Sequence, residues 1–338
     1  GYNSTTVTGN TIVGGEAGVA ITTGDYNVAI GYQSMDAATT INNSVAVGYG
    51  AMGAVPSGQA VEYAVAIGTN ALLGGGSTTD GINGTTAVGF GAGYSLTTGG
   101  NNTFLGYSAG YTATTGGSNT IVGRHAGNKI DKGSSNAFLG YSAGHYTTGS
   151  QNTFVGAEAG KGGTTSAPYS SGQYNTAVGY RALEEFTTGG YNAILGQEAG
   201  EKITTGESNT LLGYRAGRNI TTGNSNIVIG SEALRDENVS SVVAIGARAG
   251  LYNSGGDNVY IGDTAGRNSG AGTDQVIIGH DAGYYAYNND VVIIGESAGY
   301  YATGSNNVFV GKEAGKGGQT SAPYSSGQHN TAVGANAL

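Results

Sequence analysis

The chain has 338 residues, of which 66 are glycine and none is cysteine or tryptophan. The lack of cysteine excludes disulfides, thiolate metal sites and a thiol nucleophile. Charged residues make up only 10% of the chain and the net charge is −9, which argues against a nucleic-acid partner. No apolar run reaches the roughly 18 residues of a membrane span. No phosphate-loop or calcium-repeat motif is present, so no cofactor and no metal are expected.

A short unit repeats from one end of the chain to the other. Its pattern is Asn-Thr, an apolar residue, an aliphatic residue, Gly, two variable residues and Ala-Gly, as in residues 102–110. We index each unit by its central glycine. The 19 central glycines are Gly14, Gly31, Gly48, Gly68, Gly89, Gly106, Gly123, Gly140, Gly156, Gly179, Gly196, Gly213, Gly230, Gly246, Gly262, Gly279, Gly295, Gly311 and Gly334. Spacings of 16 to 23 residues predict one continuous solenoid over residues 1–338 rather than separate globular domains.

Four columns of equivalent residues define the unit. The residue before the central glycine is always Val, Ile or Leu (the aliphatic column), and the one before that is always apolar (the second apolar column). Asparagine stands four before the glycine in 13 units, and alanine three after it in 18. The predicted structural residues of three typical units are Gly106, Gly123, Gly140, Asn102, Asn119, Asn136, Ala109, Ala126 and Ala143.

The period is too short for an ordinary helix and two turns. Each unit therefore predicts one coil of an all-β, parallel β-solenoid, with a short strand, a glycine corner, an alanine-containing return and a turn. Stacked asparagines are expected to form a ladder of amide hydrogen bonds. The glycine of the recurring Thr-Thr-Gly turn, such as Gly99 or Gly149, is expected to have a positive φ.

The two apolar columns must point to opposite faces, because neighbouring strand residues alternate. We expect the aliphatic column inside, so that Leu139→Asp destabilises the coil. The second column is then expected to be covered by other copies of the chain, most simply in a trimer. Replacing Phe104, Phe138 and Phe154 by Ser should then break self-association. One alternative is that one of the apolar columns is simply an exposed surface that tolerates apolar residues. Another is that single-chain rods join end to end into a polymer.

Four insertions interrupt the regular spacing, near residues 52–63, 73–84, 161–173 and 316–328. The last two belong to a longer duplication, in which residues 152–183 and 307–338 match at 26 of 32 positions. Such a duplication is expected in a segment of a longer fibre. Insertions on solenoids often bind ligands. The candidate binding residues are Pro168, Tyr169, Pro323 and Tyr324, with the tyrosines positioned to stack on a sugar ring. The alternative is that the loops only end or kink the rod.

The titratable residues do not predict catalysis. His125 and His280 occupy variable positions where other units have Glu, Arg or Tyr. Glutamate and arginine share the column two after the central glycine, which is typical of a solvated face. The chain is therefore expected not to be an enzyme. A β-helical polysaccharide-degrading enzyme remains an alternative, and an ice- or crystal-binding solenoid is another.

The string Asn-Thr-Ala-Val-Gly at 175–179 and 330–334, with a close variant at 43–48, resembles the head repeat of trimeric autotransporter adhesins. Similar arrays occur in phage tail-fibre proteins. The resemblance implies a left-handed β-roll, three chains about one axis, and binding to host surfaces. It implies a structural or adhesive fibre segment, on the cell surface or a virion tail, that displays loops to a glycan or receptor. A self-assembling extracellular filament without receptor binding is the alternative.

Overall fold

The computed structural model describes residues 7–55, 60–74, 81–165, 168–318 and 324–338. These residues form parallel strands of three or four residues joined by turns, and they contain no helix. The predicted all-β, parallel β-solenoid is confirmed. The chain divides into two compact units, Gly1–Tyr174 and Asn175–Leu338.

The first unit contains eleven strands among its described residues. They are β1 (Thr11–Val13), β2 (Val28–Ile30), β3 (Thr40–Asn42), β4 (Val45–Val47), β5 (Ala60–Glu62), β6 (Val65–Ile67), β7 (Thr86–Val88), β8 (Thr103–Leu105), β9 (Thr120–Val122), β10 (Ala137–Leu139) and β11 (Thr153–Val155). The main ladder runs β1-β2-β4-β6-β7-β8-β9-β10-β11, and β3 pairs separately with β5. Register advances one coil at a time, so that Phe104 lies opposite Ile121.

The described residues of the second unit form ten strands, each paired in parallel with the next along the chain. They are β12 (Thr176–Val178), β13 (Ala193–Leu195), β14 (Thr210–Leu212), β15 (Ile227–Ile229), β16 (Val243–Ile245), β17 (Val259–Ile261), β18 (Gln275–Ile278), β19 (Val291–Ile294), β20 (Val308–Val310) and β21 (Thr331–Val333).

The core is built from the second apolar column, not from the aliphatic column. Phe104, Phe138 and Phe154 are at most 1% exposed, whereas Leu139 is 51% exposed. Second-column residues are buried in every coil except the first, where Ile12 is half-buried. The predicted assignment of the two faces is therefore wrong. The expectation that Leu139→Asp destabilises the coil is wrong with it, and so is the expectation that the second column is covered by other copies of the chain. Leu139→Asp places its charge on the surface, and serine at the three phenylalanines would disrupt the core.

The left-handed turns after each strand decide which column lies inside. Residues two and four after the central glycine have positive φ in each coil, for example Ser108 (53°) and Gly110 (59°). These turns fold the chain back over the second apolar column, and the alanine column, including Ala109, is buried beside it. The alanines thus line the core next to the second column, and the return consists of turns rather than a strand.

Volume is balanced within each coil of the core. Where the second column holds alanine, the position four after the central glycine often holds a large residue. The pairs are Ala29 with Met35, Ala46 with Met52, Ala66 with Leu72 and Ala177 with Leu183. Where the second column holds Phe104, that position is Gly110, and a Cβ there would collide with the phenyl ring. Close packing of this kind leaves little void, because interiors pack as densely as organic crystals.

Two kinds of glycine are required for different reasons. The central Gly106 has φ of 137°, and a Cβ there would lie 2.6 Å from the carbonyl oxygen of Gly123. Gly99, in a Thr-Thr-Gly turn, is not in the positive-φ region, so that prediction is wrong. A Cβ on Gly99 would instead collide with the carbonyl of Gly116 in the next coil. The left-handed residue of this turn is Asn101, with φ of 59°.

The predicted asparagine ladder is present. Asn119 donates from Nδ2 to Asn102 Oδ1 at 3.0 Å, and Asn136 donates to Asn119 Oδ1 at 3.0 Å. Asn119 Nδ2 also donates to the Gly133 carbonyl at 2.9 Å. These side chains are at most 2% exposed. Each buried amide is therefore satisfied between coils, which avoids the desolvation cost of an unpaired polar group.

Candidate functional surfaces

The aliphatic column forms an apolar stripe on the outward side of the strands. None of its residues is buried, and Leu105, Leu139 and Leu195 are about half exposed, at 46%, 51% and 50%. The residue two positions earlier on each strand is Thr, Val, Ala or Ile and carries no charge. We call these two columns the outer sheet face. It is uncharged along both units.

Aromatic residues follow the outer sheet face in the first unit. The residue after the central glycine is often Tyr or Phe there, and successive rings stack. Tyr32 and Tyr49 have centroids 5.9 Å apart, and Phe90 and Tyr107 are 5.1 Å apart. In the later coils of the second unit the same position carries charged residues, Asp263, Glu296 and Lys312, and a histidine, His280. The two units therefore differ in what borders an otherwise similar face.

An alternating ladder of ion pairs occupies the second unit. The column two after the central glycine reads Arg181, Glu198, Arg215, Glu232 and Arg248. Glu198 contacts the guanidinium of Arg215 at 2.7 Å and that of Arg218 at 3.5 Å. Arg215 holds the pKa of Glu198 below its usual range. Alternation removes the repulsion that stacked like charges would produce, and Glu198 is 8% exposed rather than fully solvated as expected.

The first of the twin insertions borders a surface groove. The groove has a volume of about 630 Å³, within the range of ligand sites. Its lining residues are Ser95, Thr112, Thr114, Lys129, Asp131, Lys132, Thr148, Pro168, Tyr169 and Ser171. Tyr169 stacks on Tyr146 with centroids 6.1 Å apart. The structure thus brings the predicted Tyr169 and Pro168 together with two lysines and several hydroxyl groups, whose position beside the loop does not follow from the repeat spacing.

Hydrogen bonds fix the polar wall of this groove. Thr114 Oγ1 donates to Asp131 Oδ1 at 2.6 Å, Thr112 Oγ1 donates to the Asn128 carbonyl at 2.9 Å, and Thr148 Oγ1 to a carbonyl at 3.2 Å. These threonine hydroxyls donate within the protein, so only their oxygen lone pairs remain to accept a hydrogen bond. Among the described residues, neither Lys129 nor Lys132 forms an ion pair.

Two histidines lie close to the groove. The rings of His125 and His145 are 5.8 Å apart, and His145 lies 4.3 Å from the Tyr146 ring. Burial lowers the pKa of His145 to about 4, with further contributions from His125, Lys129 and Lys161. Burial also lowers the pKa of His125, and its Nδ1 is buried without a partner. These histidines are therefore not simple surface residues, and stacking in neighbouring coils was the signal that the sequence contained.

The second of the twin insertions lies against tyrosines. Tyr324 stacks on Tyr285 at 5.0 Å and on Tyr301 at 5.6 Å, and Tyr284 stacks on Tyr300 at 5.0 Å. The structure thus places Tyr324 in an aromatic cluster rather than over a polar groove. Within the five described ranges, no group of three His, Asp or Glu side chains is placed to hold a metal ion.

Some predicted residues lie outside the described residues. These include Pro323 and parts of two predicted insertions, residues 56–59 and 75–80. The described part of the chain has no helix capable of crossing a membrane.

Comparison with known proteins adds no relative. No family model, no curated protein and no solved structure matches the chain.

Proposed function

We propose that this chain is a structural and adhesive fibre segment in which copies pack side by side through the outer sheet face. The single observation that carries the proposal is the exposed aliphatic column, which is Val, Ile or Leu in every coil and buried in none. Large exposed apolar patches are uncommon on monomeric proteins and mark interaction sites. A second copy of the chain is the partner whose surface matches it, because an uncharged, regularly spaced face complements itself.

The energetics favour association through many small contributions. Full burial of a Leu or Ile side chain contributes about 1.5–3 kcal/mol, so covering the exposed half of Leu139 or Leu195 contributes roughly 1 kcal/mol. The repeat provides this contribution at successive coils. Summed over the coils, this contribution is of the same order as the estimated 4–15 kcal/mol that association costs in translational and rotational freedom.

A trimer is the simplest closed assembly in keeping with the adhesin-like repeat. The fibre belongs on a cell surface or virion tail, and the insertions, which come from other parts of the coil, stay available to a surface glycan or host receptor. Its role is mechanical and adhesive rather than enzymatic. The asparagine ladder and the alternating ion-pair ladder suit a mechanical role, because both link side chains of one coil to side chains of the next.

The test replaces Leu105, Leu139 and Leu195 together by Glu. Sedimentation equilibrium should show a trimer for the native chain and a monomer for this variant, since three carboxylates cannot be buried cheaply. The matched control places the same charges on exposed turn residues, by Thr98→Glu, Thr115→Glu and Thr205→Glu. The control should keep the native mass. A monomeric native chain, or a leucine variant of unchanged mass, would overturn the proposal, and mass rising without limit would indicate a filament.

A further inference from the structure

The groove beside Tyr169 combines three features that suit one class of ligand. It offers an aromatic ring, a wall of hydroxyl oxygens, and two lysines without ion-pair partners among the described residues. We infer that this groove binds an acidic oligosaccharide built of uronic acid units. The inference rests on the adhesive part of the proposed function and specifies its ligand.

The aromatic side of the groove fits a pyranose ring. Tyr169 is half-buried and held in place by the stack on Tyr146, with ring planes 24° apart. A tyrosine fixed in this way presents a flat, amphipathic surface at little entropy cost. Pro168 lies exposed beside it and adds apolar surface. The C–H face of a sugar is the complementary shape.

The polar residues that line the groove fit the hydroxyl groups of a sugar. Thr112 and Thr148 donate to backbone carbonyls, so their oxygens accept hydrogen bonds from a ligand. The carboxylate of Asp131 is oriented by Thr114 and keeps acceptor capacity on its second oxygen. A ligand rich in hydroxyl donors satisfies these acceptors, whereas a peptide offers far fewer donors.

The charge of the groove selects an acidic sugar. Lys129 and Lys132 contribute two positive charges against the single negative charge of Asp131, in a chain whose net charge is −9. Burial keeps the neighbouring His145 neutral at pH 7, because its pKa is lowered to about 4. A carboxylate on the sugar can therefore pair with a lysine ammonium without displacing an existing ion pair.

The twin insertion supplies an internal control. Counted from the central glycines, Tyr285 stands where Lys129 does, and Tyr287 where Asp131 does. The cluster around Tyr324 thus has the same loop tyrosine without that lysine. It is not expected to prefer an acidic ligand.

The experiment measures binding of tetragalacturonate to the full chain by calorimetry, with its fully methyl-esterified form as the uncharged control. We expect the ester to bind at least about fivefold more weakly, and added salt to weaken the acid form. The double variant Lys129→Gln and Lys132→Gln should bind tetragalacturonate about fivefold more weakly than the native chain. Tyr169→Ala should weaken it by about tenfold or more, because ring stacking on a fixed aromatic is lost. Tyr324→Ala should leave the affinity within about twofold.

The outcomes separate this inference from the proposed assembly. Binding is measured both on the native chain and on the Leu105, Leu139 and Leu195 variant, whose outer sheet face is changed but whose groove is not. A native chain that is monomeric and still binds tetragalacturonate would contradict only the fibre proposal. Absence of tetragalacturonate binding, equal binding of the ester, or an unchanged Tyr169→Ala variant would overturn the inference. Equal binding of a tetraglutamate peptide would show that charge alone is recognised and would also overturn it.

Discussion

The twin insertions have nearly the same sequence but lie in different surroundings. Tyr169 stacks on Tyr146 and opens onto a groove lined by threonines and lysines, whereas Tyr324 stacks on Tyr285 and Tyr301. Duplication copied the loop and its own coil but not the coils before it. In a solenoid, the neighbours of a loop come from adjacent coils, so the same loop acquires a different surface.

The exchanged residues show how the surroundings differ. Six after the central glycine, Lys129 in the first unit corresponds to Tyr285 in the second, and five after it His145 corresponds to Tyr300. A polar, cationic rim is thereby replaced by an aromatic one. The first site is suited to a ligand, and the second packs against itself.

The largest expected effect is on the free energy of unfolding. It follows from removing a feature that the two insertions share, a phenylalanine in the core of the coil before each loop. Phe154 is fully buried, and Phe154→Ala should lower the free energy of unfolding by about 3–5 kcal/mol through lost burial and a cavity. Phe309 is 3% exposed and borders a surface pocket of about 370 Å³, so Phe309→Ala should cost less. Urea denaturation followed by circular dichroism measures both.

The control for this pair is the adjacent residue on the opposite face of the strand. Val155→Ala removes a residue of the aliphatic column and should cost less than about 1 kcal/mol in the isolated chain. An equal loss for Val155→Ala and Phe154→Ala would contradict the assignment of the core.

A smaller effect on stability is expected at the equivalent positions beside the two insertions, Tyr285 and Lys129. Tyr285→Ala removes stacking with both Tyr301 and Tyr324, and should lower stability by about 1–3 kcal/mol. Lys129→Ala, at the equivalent position, removes a half-buried lysine without an ion-pair partner among the described residues and should change stability by less than about 0.5 kcal/mol. Thermal denaturation of the two variants compares them. Similar losses would indicate that both rims serve packing alone.

The smallest expected effect concerns acid stability. The pKa of His145 is lowered to about 4, so the unfolded chain binds a proton near pH 6.5 that the folded chain does not. The free energy of unfolding is therefore unaffected by this group at neutral pH and falls as pH falls from about 6.5 to 4. The expected decrease is about 1 kcal/mol after allowance for the partial exposure of His145.

His145→Tyr installs the residue of the twin position and should remove this part of the pH dependence. Tyr300, its counterpart, has a pKa raised to about 12 by burial and by Asp281, and stays neutral over the acid range. Melting temperatures measured from pH 7 to pH 4 test the change, and Tyr300→His is the reciprocal variant. An unchanged slope for His145→Tyr would show that other groups govern acid stability.

The sequence by itself determined the coil, its length and its regular features. The period predicts the parallel strands, the central Gly106 marks a corner, and the asparagine column predicts the amide ladder through Asn119. These features are local or repeat with the chain, so they follow from spacing alone. The insertions were also visible, because they lengthen the spacing.

Only the tertiary structure decided which apolar column lies inside. A three-residue strand with apolar residues at two successive positions gives the same pattern for either orientation, and the left-handed turns that choose between them involve contacts across the coil. The same holds for Gly99, whose requirement comes from a carbonyl in the next coil. The groove at Tyr169 also depends on contacts between coils, because its lysines and threonines meet the loop only when the coils stack.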